Sequence, residues 1–332
     1  MNLFLTYLLS AIPLGMTFLY GSTGEILTEK VGHLNLGVPG IMCVGGLCGC
    51  FTAEQLIGSV PPVWLVTLSI LASFAGGVLM GLLYSFLTVS LHANQNVTGL
   101  AMTIFGAGLS KYGMYNLTKG LLDNEASTGE MVEVVKKSTF LDATAYFRYP
   151  FANDEKLQYC GVMLFLAILI ALICSWILKY TRVGLHLRAV GENPATADAM
   201  GINVTGYKYV ATCIGSGIAA MGGLYYAISY AGTAGAYKDI EALGWLSIAL
   251  VIFALWRPHL SILGSVLFGL LYVANSYLPQ LFGWKTPLYA TYLFKMLPYV
   301  VTIIVLIISS VRKKREDQPP ASLGLSYFRE ER

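Results

Sequence analysis

The charged residues of this chain are segregated, and that segregation limits its fold more than any other feature. Of 21 basic and 18 acidic residues, 12 fall between Lys119 and Lys156, 6 between Lys179 and Lys208, and 10 in the tail from Arg312. The other 11 are scattered over more than 200 residues, which leaves runs of 18 or more nearly uncharged positions. Runs of that length are bilayer-spanning helices. Only 12% of the 332 residues are charged, about half the share of a soluble domain, and 56% are hydrophobic. A soluble enzyme is excluded. So is a nucleic-acid binder, because the net charge is only +3 and the basic residues lie between apolar runs.

The pattern predicts an all-α polytopic membrane protein with nine spans near 2–21, 36–54, 63–91, 97–117, 157–179, 208–230, 243–256, 260–280 and 286–311. The first is the weakest, since Pro13, Gly15 and Gly21 interrupt it. It lacks a basic leader and a small-residue cleavage site, so it reads as a span and not as a signal peptide. Lys179, Arg182, Arg188 and Lys208 in one short segment, and Arg312-Lys313-Lys314-Arg315 in the tail, place both on the cytoplasmic side. The loop 118–156, with seven acidic and five basic residues, is then extracellular. Residues 1–311 form one transmembrane domain, 180–207 a cytoplasmic segment, and 312–332 a tail. Pro319-Pro320 and mixed charge mark that tail as a solvated, dispensable end.

Gly76-Gly-Val-Leu-Met-Gly-Leu-Leu-Tyr84 matches Gly264-Ser-Val-Leu-Phe-Gly-Leu-Leu-Tyr272 at seven of nine positions. The two copies run in opposite directions on this span count. Spans one to four and six to nine then make an inverted repeat around span five, a plan common in transporters. Several spans are broken: Gly37-Val-Pro-Gly40 follows Asn35, span seven stops at Trp256-Arg257-Pro258, and Pro298 interrupts span nine. Unwound backbone at membrane depth is tolerated where protein or a water-filled cavity satisfies it. Small residues such as Gly45, Gly46, Gly77 and Gly81 allow close helix contact.

Chemistry-bearing residues are few. Cys43, Cys48, Cys50, Cys160, Cys174 and Cys213 lack ligand spacing and read as small packing residues. Lys295 is the deepest ionisable group in a span, Lys111 lies near an outer end, and Glu25, Glu29 and His33 fall before span two. No carboxylate or histidine chain crosses the membrane, which counts against a proton-coupled pump. No catalytic triad, paired carboxylates or metal set faces one side, which counts against a membrane enzyme.

The most specific stretch runs from Thr181 to Asn203. Asn193 is a good N-cap, Pro194 suits the first helical position, and Gly201 ends a helix of about two turns. The helix has almost no bulky face of its own, so it suits a groove in a partner.

Gly184, Arg188, Ala189, Gly191, Asn193, Ala197, Gly201 and Ile202 resemble the coupling segment of ABC-importer permeases of the simple-sugar and nucleoside branch. Glu29-Lys30-x-Gly32-x-x-Asn35-Leu36-Gly37 is similar to the nucleoside type, although Pro39 departs from its usual pattern. Asn96-Val-Thr98-Gly99 and Gly264-to-Gly269 also fit, so the resemblance covers most of the chain. It implies a permease subunit of an ATP-driven importer in a bacterial cytoplasmic membrane. Its partners would be a second related permease, an ATP-binding cassette ATPase and an extracellular lipid-anchored binding protein that delivers a nucleoside. The chain has no phosphate-binding Gly-x-x-x-x-Gly-Lys motif, so ATP and Mg²⁺ belong to the ATPase and this subunit is not itself an enzyme. Arg188, Gly191, Glu192, Asn193, Ala197 and Gly201 would couple to that ATPase. A nucleoside needs stacking and hydrogen-bond partners, and Asn35, Asn96, Thr98, Phe105, Tyr225, Ser229 and Trp245 are the candidates for its path. A simple-sugar or branched-chain amino-acid permease is the nearest alternative, and a secondary transporter a more distant one.

Overall fold

The computed structural model describes residues 3–117, 139–151, 153, 157, 160–283, 288–312 and 318–328. Twelve α-helices follow in order: α1 (Leu3–Lys30), α2 (Val38–Leu56), α3 (Pro62–Ser85), α4 (Gln95–Leu117), α5 (Thr144–Phe147), α6 (Val162–Tyr180), α7 (Arg182–Glu192), α8 (Pro194–Ala199), α9 (Val204–Leu224), α10 (Tyr237–Phe253), α11 (Pro258–Phe282) and α12 (Leu288–Arg312). Wider π-turns extend α3 through Phe86–Ser90 and α9 through Tyr225–Ala231. No strand occurs among the described residues. Five helices are long and apolar enough to cross a membrane on those two criteria alone: α1, α3, α6, α9 and α11. The other long helices, α2, α4, α10 and α12, pack among them, and the molecule is a multi-pass membrane protein.

Two helices depart from their expected bounds. The first does not end near residue 21: α1 runs unbroken over 28 residues, past Pro13 and through Glu25 and Glu29. It is buried almost continuously from Ala11 to Glu29, because α9, α10, α11 and α6 surround it. Helix α10 begins at Tyr237, six residues before the expected boundary, and stops at Phe253. Leu255 and Trp256 then adopt left-handed backbone (φ 51° and 55°), unusual for residues with side chains, which turns the chain into Pro258 at the start of α11. Lys295 lies on α12, but its side chain is outside the described ones. Residues 118–138 of the long loop are likewise outside the described residues.

The nine-residue echo falls on α3 and α11, and the packing partners exchange accordingly. Helix α3 lies on α9 while α11 lies on α1; α2 touches α3, α4 and α9 while α10 touches α11, α12 and α1. The echoed small residues sit at both contacts. Gly77 and Gly81 admit the backbone of α9 at Ser216 and Thr212, and Gly269 admits the carbonyl of Ala11 on α1. A Cβ at any of the three would collide with the neighbouring helix, so close approach is the reason for the small side chain.

Connectivity brings the end of α1, the start of α2, the α3–α4 turn, α7, α8, the start of α9 and the tail to one end of the bundle. Residues 139–151 lie at the opposite end, where Arg148 donates from Nε to the Ser229 carbonyl (2.9 Å) and from Nη2 to the Tyr230 carbonyl (3.1 Å) at the close of α9.

Candidate functional site

Between α6 and α9 the chain is fixed by its caps. The Thr181 hydroxyl accepts from the Gly184 N–H (3.1 Å), Asn193 Oδ1 from the Thr196 N–H (3.0 Å), and Asn203 Oδ1 from the Gly206 N–H (2.9 Å). Helix α8 closes at Gly201 (φ 80°), with the Gly201 N–H donating to the Asp198 carbonyl and the Ile202 N–H to the Ala197 carbonyl. That paired geometry is a Schellman stop and requires the left-handed backbone glycine adopts freely.

The six coupling residues divide by direction. Arg188, Glu192, Asn193 and Gly201 lie on the exposed side of the segment, and Gly201 has open space around its Cα. Gly191 and Ala197 are buried. Gly191 lies against the Lys30 carbonyl at the end of α1, closely enough that any side chain would collide with it. The segment therefore has one face toward solvent and another seated directly on the central helix.

Beneath it, residues 31–37 form an unwound, largely buried link between α1 and α2, and four helices satisfy its polar groups. Glu25 Oε1 accepts from the Asn35 N–H (3.1 Å), Gln95 Oε1 from the Leu34 N–H (2.8 Å), and Asn35 Oδ1 from the Gly37 N–H (2.9 Å). The Tyr84 hydroxyl donates to the Leu34 carbonyl (2.6 Å) and the Thr103 hydroxyl to the Leu36 carbonyl (2.8 Å). Trp256 Nε1–H donates to Glu29 Oε2. His33 Nδ1 meets the Thr212 hydroxyl at 3.1 Å, while burial and then the Lys208 ammonium hold the imidazole down to about 3, so it is neutral at physiological pH. Asn35 Nδ2 is buried with no hydrogen-bond partner among the described residues.

The sequence reading missed this cluster. Glu25 and Glu29 were expected before span two, yet both are buried within α1, at 1% and 3% exposure. Their spacing of four residues at the end of an apolar run was the available signal, since it places both on one helix face.

The seven path candidates do not converge. Asn35 lies in the polar link and Thr98 is buried one turn into α4, but Asn96 and Phe105 are on the exposed side of that helix. Tyr225 and Ser229 are fully buried near the opposite end. There the Tyr225 hydroxyl donates to the Pro13 carbonyl (3.0 Å), and Ser229 Oγ lies 3.8 Å from the Met163 sulfur. Trp245 is half-buried on α10.

The tail is not a solvated end. Ser322 donates to the Gly191 carbonyl from its N–H (3.0 Å) and its hydroxyl (2.5 Å), and the Gly324 N–H reaches the Gly32 carbonyl (3.2 Å). Gln95 Nε2 donates to the Leu325 carbonyl (3.3 Å), the Tyr327 hydroxyl to Asp198 Oδ2 (2.9 Å), and the Phe328 and His92 rings lie 4.5 Å apart. One short segment thus ties α7, α8, the α1–α2 link and the α3–α4 turn together. Sequence composition could not show this, because most of the bonds use backbone groups.

A family model described as branched-chain amino acid transport system / permease component matches residues 3–306. The chain belongs to that family. It is 31% identical to the nucleoside ABC transporter permease protein NupC of Lactococcus lactis, over 87% of each chain. It is 30% identical to the guanosine ABC transporter permease protein NupQ of Bacillus subtilis, over 98% of this chain and 96% of that one. TsgC13 of Haloferax volcanii, provisionally named a glucose ABC transporter permease, is 30% identical over 97% of each chain. No solved structure matches. This chain is therefore a membrane-spanning permease subunit of the ABC type, and membership of the family implies a separate ATPase and a binding protein as partners.

Proposed function

We propose that the chain is one permease of an ATP-driven nucleoside importer. It pairs with a second related permease, with an ATPase that holds ATP and Mg²⁺, and with a lipid-anchored binding protein on the outer side. The two-faced coupling segment carries this reading. Arg188, Glu192, Asn193 and Gly201 meet the ATPase, Gly191 carries its movement into α1, and Ala197 seats α8. The tail and this segment lie on the cytoplasmic side.

Two relatives named for nucleosides or guanosine support the substrate class, each similar over most of its length. The polar link at Asn35 supplies a hydrogen-bonding group for a solute when α1 and α2 shift, because buried amides without partners are costly and few in native structures. The sugar-permease relative keeps a sugar as the second reading. Competition for labelled guanosine uptake by unlabelled nucleosides, glucose, ribose and leucine separates these. Competition by nucleosides alone is expected, and competition by glucose or leucine alone would overturn the substrate class.

A further inference from the structure

A cavity of about 500 Å³ opens beside the coupling segment, between the start of α9, the α3 π-turn and the tail. Lys208 lines it, is only 3% exposed, and makes no hydrogen bond or ion pair with any described residue. With the rest of its side chain enclosed by protein, the ammonium faces the cavity, and a cation held at such a wall attracts an anion. The rest of the wall agrees. Val204 and Thr205 line the cavity from the first turn of a 21-residue helix, where backbone N–H groups lack intrahelical acceptors and the helix dipole is positive. Asn203 already caps the Gly206 N–H, so those two remain for a ligand. Asp198 is the acidic group on the wall, and its Oδ2 accepts from the Tyr327 hydroxyl.

We propose that this cavity binds the phosphate group of a small molecule or lipid headgroup, with Lys208 and the α9 N-terminus holding the oxyanion. A sugar-phosphate-sized ligand suits the volume, with Tyr327 and His92 as its ring-bearing wall. The site adds to the transport reading and does not depend on the nucleoside assignment. Tyr327 belongs to the docked tail, so occupancy also bears on how firmly the tail is held.

Isothermal titration of ribose 5-phosphate, inorganic phosphate and ribose into the full complex in uncharged detergent tests the proposal. A parallel series uses nanodiscs with and without phosphatidylglycerol. Phosphate-dependent binding is expected, weakened at least tenfold by Lys208→Met and retained by Lys208→Arg, with ribose inert. Asn203→Asp keeps the cap and adds a negative charge, so it should weaken binding similarly without threatening the fold. Lys208-dependent stabilisation by phosphatidylglycerol alone would assign a lipid headgroup, and by ribose 5-phosphate alone a soluble ligand. Binding of neither, binding equal in Lys208→Met and wild type, or binding seen only without the ATPase would overturn the proposal. None of these readouts involves uptake, so failure of the nucleoside assignment would leave them unchanged.

Discussion

At the level of single residues, the polar link between α1 and α2 makes the firmest demands. Trp256→Phe keeps the ring but removes the donor to Glu29, leaving a buried carboxylate oxygen short of a partner. Such a loss costs on the order of 1–3 kcal/mol, so the thermal midpoint of the purified complex should fall, and Glu29→Gln should tolerate Trp256 far better than Trp256→Phe tolerates Glu29. His33 gives a pH signature. Its buried ring resists protonation down to about 3 while the unfolded chain takes up a proton near the ordinary 6.5, so this contribution is intact above pH 6.5 and is lost progressively as pH falls toward 3. Melting temperature measured from pH 7.5 to 5 should decline on the acid side, and His33→Gln should flatten that decline. An equally steep fall in the variant would remove His33 as its source. The same residues show the limit of the sequence reading. Asn35 stood out because a polar residue at the threshold of an apolar run is visible in one dimension. The partners of its link, Tyr84, Gln95, Thr103 and Thr212, come from three distant helices and carry no local mark.

At the level of elements, most long helices were legible because apolar length alone reports them, and the short α8 was legible from its caps. Asn193, Pro194 and Gly201 fall where cap, first turn and stop require them. A six-residue helix has little cooperative stability of its own, so Asn193→Ala, which deletes a cap worth about 1 kcal/mol, should fray α8 and reduce ATPase stimulation while the subunit still assembles. The lower half of α1 was illegible for the opposite reason: Glu25 and Glu29 read as loop charges until the surrounding helices bury them. The tail was misread too, since Pro319-Pro320 suggests a free end while Pro320 and Ser322 are buried. Truncation before Gln318 should therefore lower uptake by more than half and destabilise the complex, as read by transport and by melting of the same preparations. Unchanged values would show that the docked tail has no bearing on coupling.

At the level of the whole molecule, the echoed helices α3 and α11 take different central partners, α9 against α3 and α1 against α11. Gly191 packs on the Lys30 carbonyl at the end of α1, and α1 leads into the link that starts α2, so under the proposed coupling a push on α7 and α8 would pass from the exposed segment to the bundle interior. The most direct measurement is ATP hydrolysis by the reconstituted complex with its binding protein, with and without nucleoside, for wild type and Gly191→Ala. Nucleoside should stimulate the wild-type ATPase several-fold, and Gly191→Ala should remain assembled and hydrolyse ATP at the basal rate but respond weakly. Full stimulation in Gly191→Ala, or a chain that assembles with no ATPase, would contradict coupling through the contact between α7 and α1.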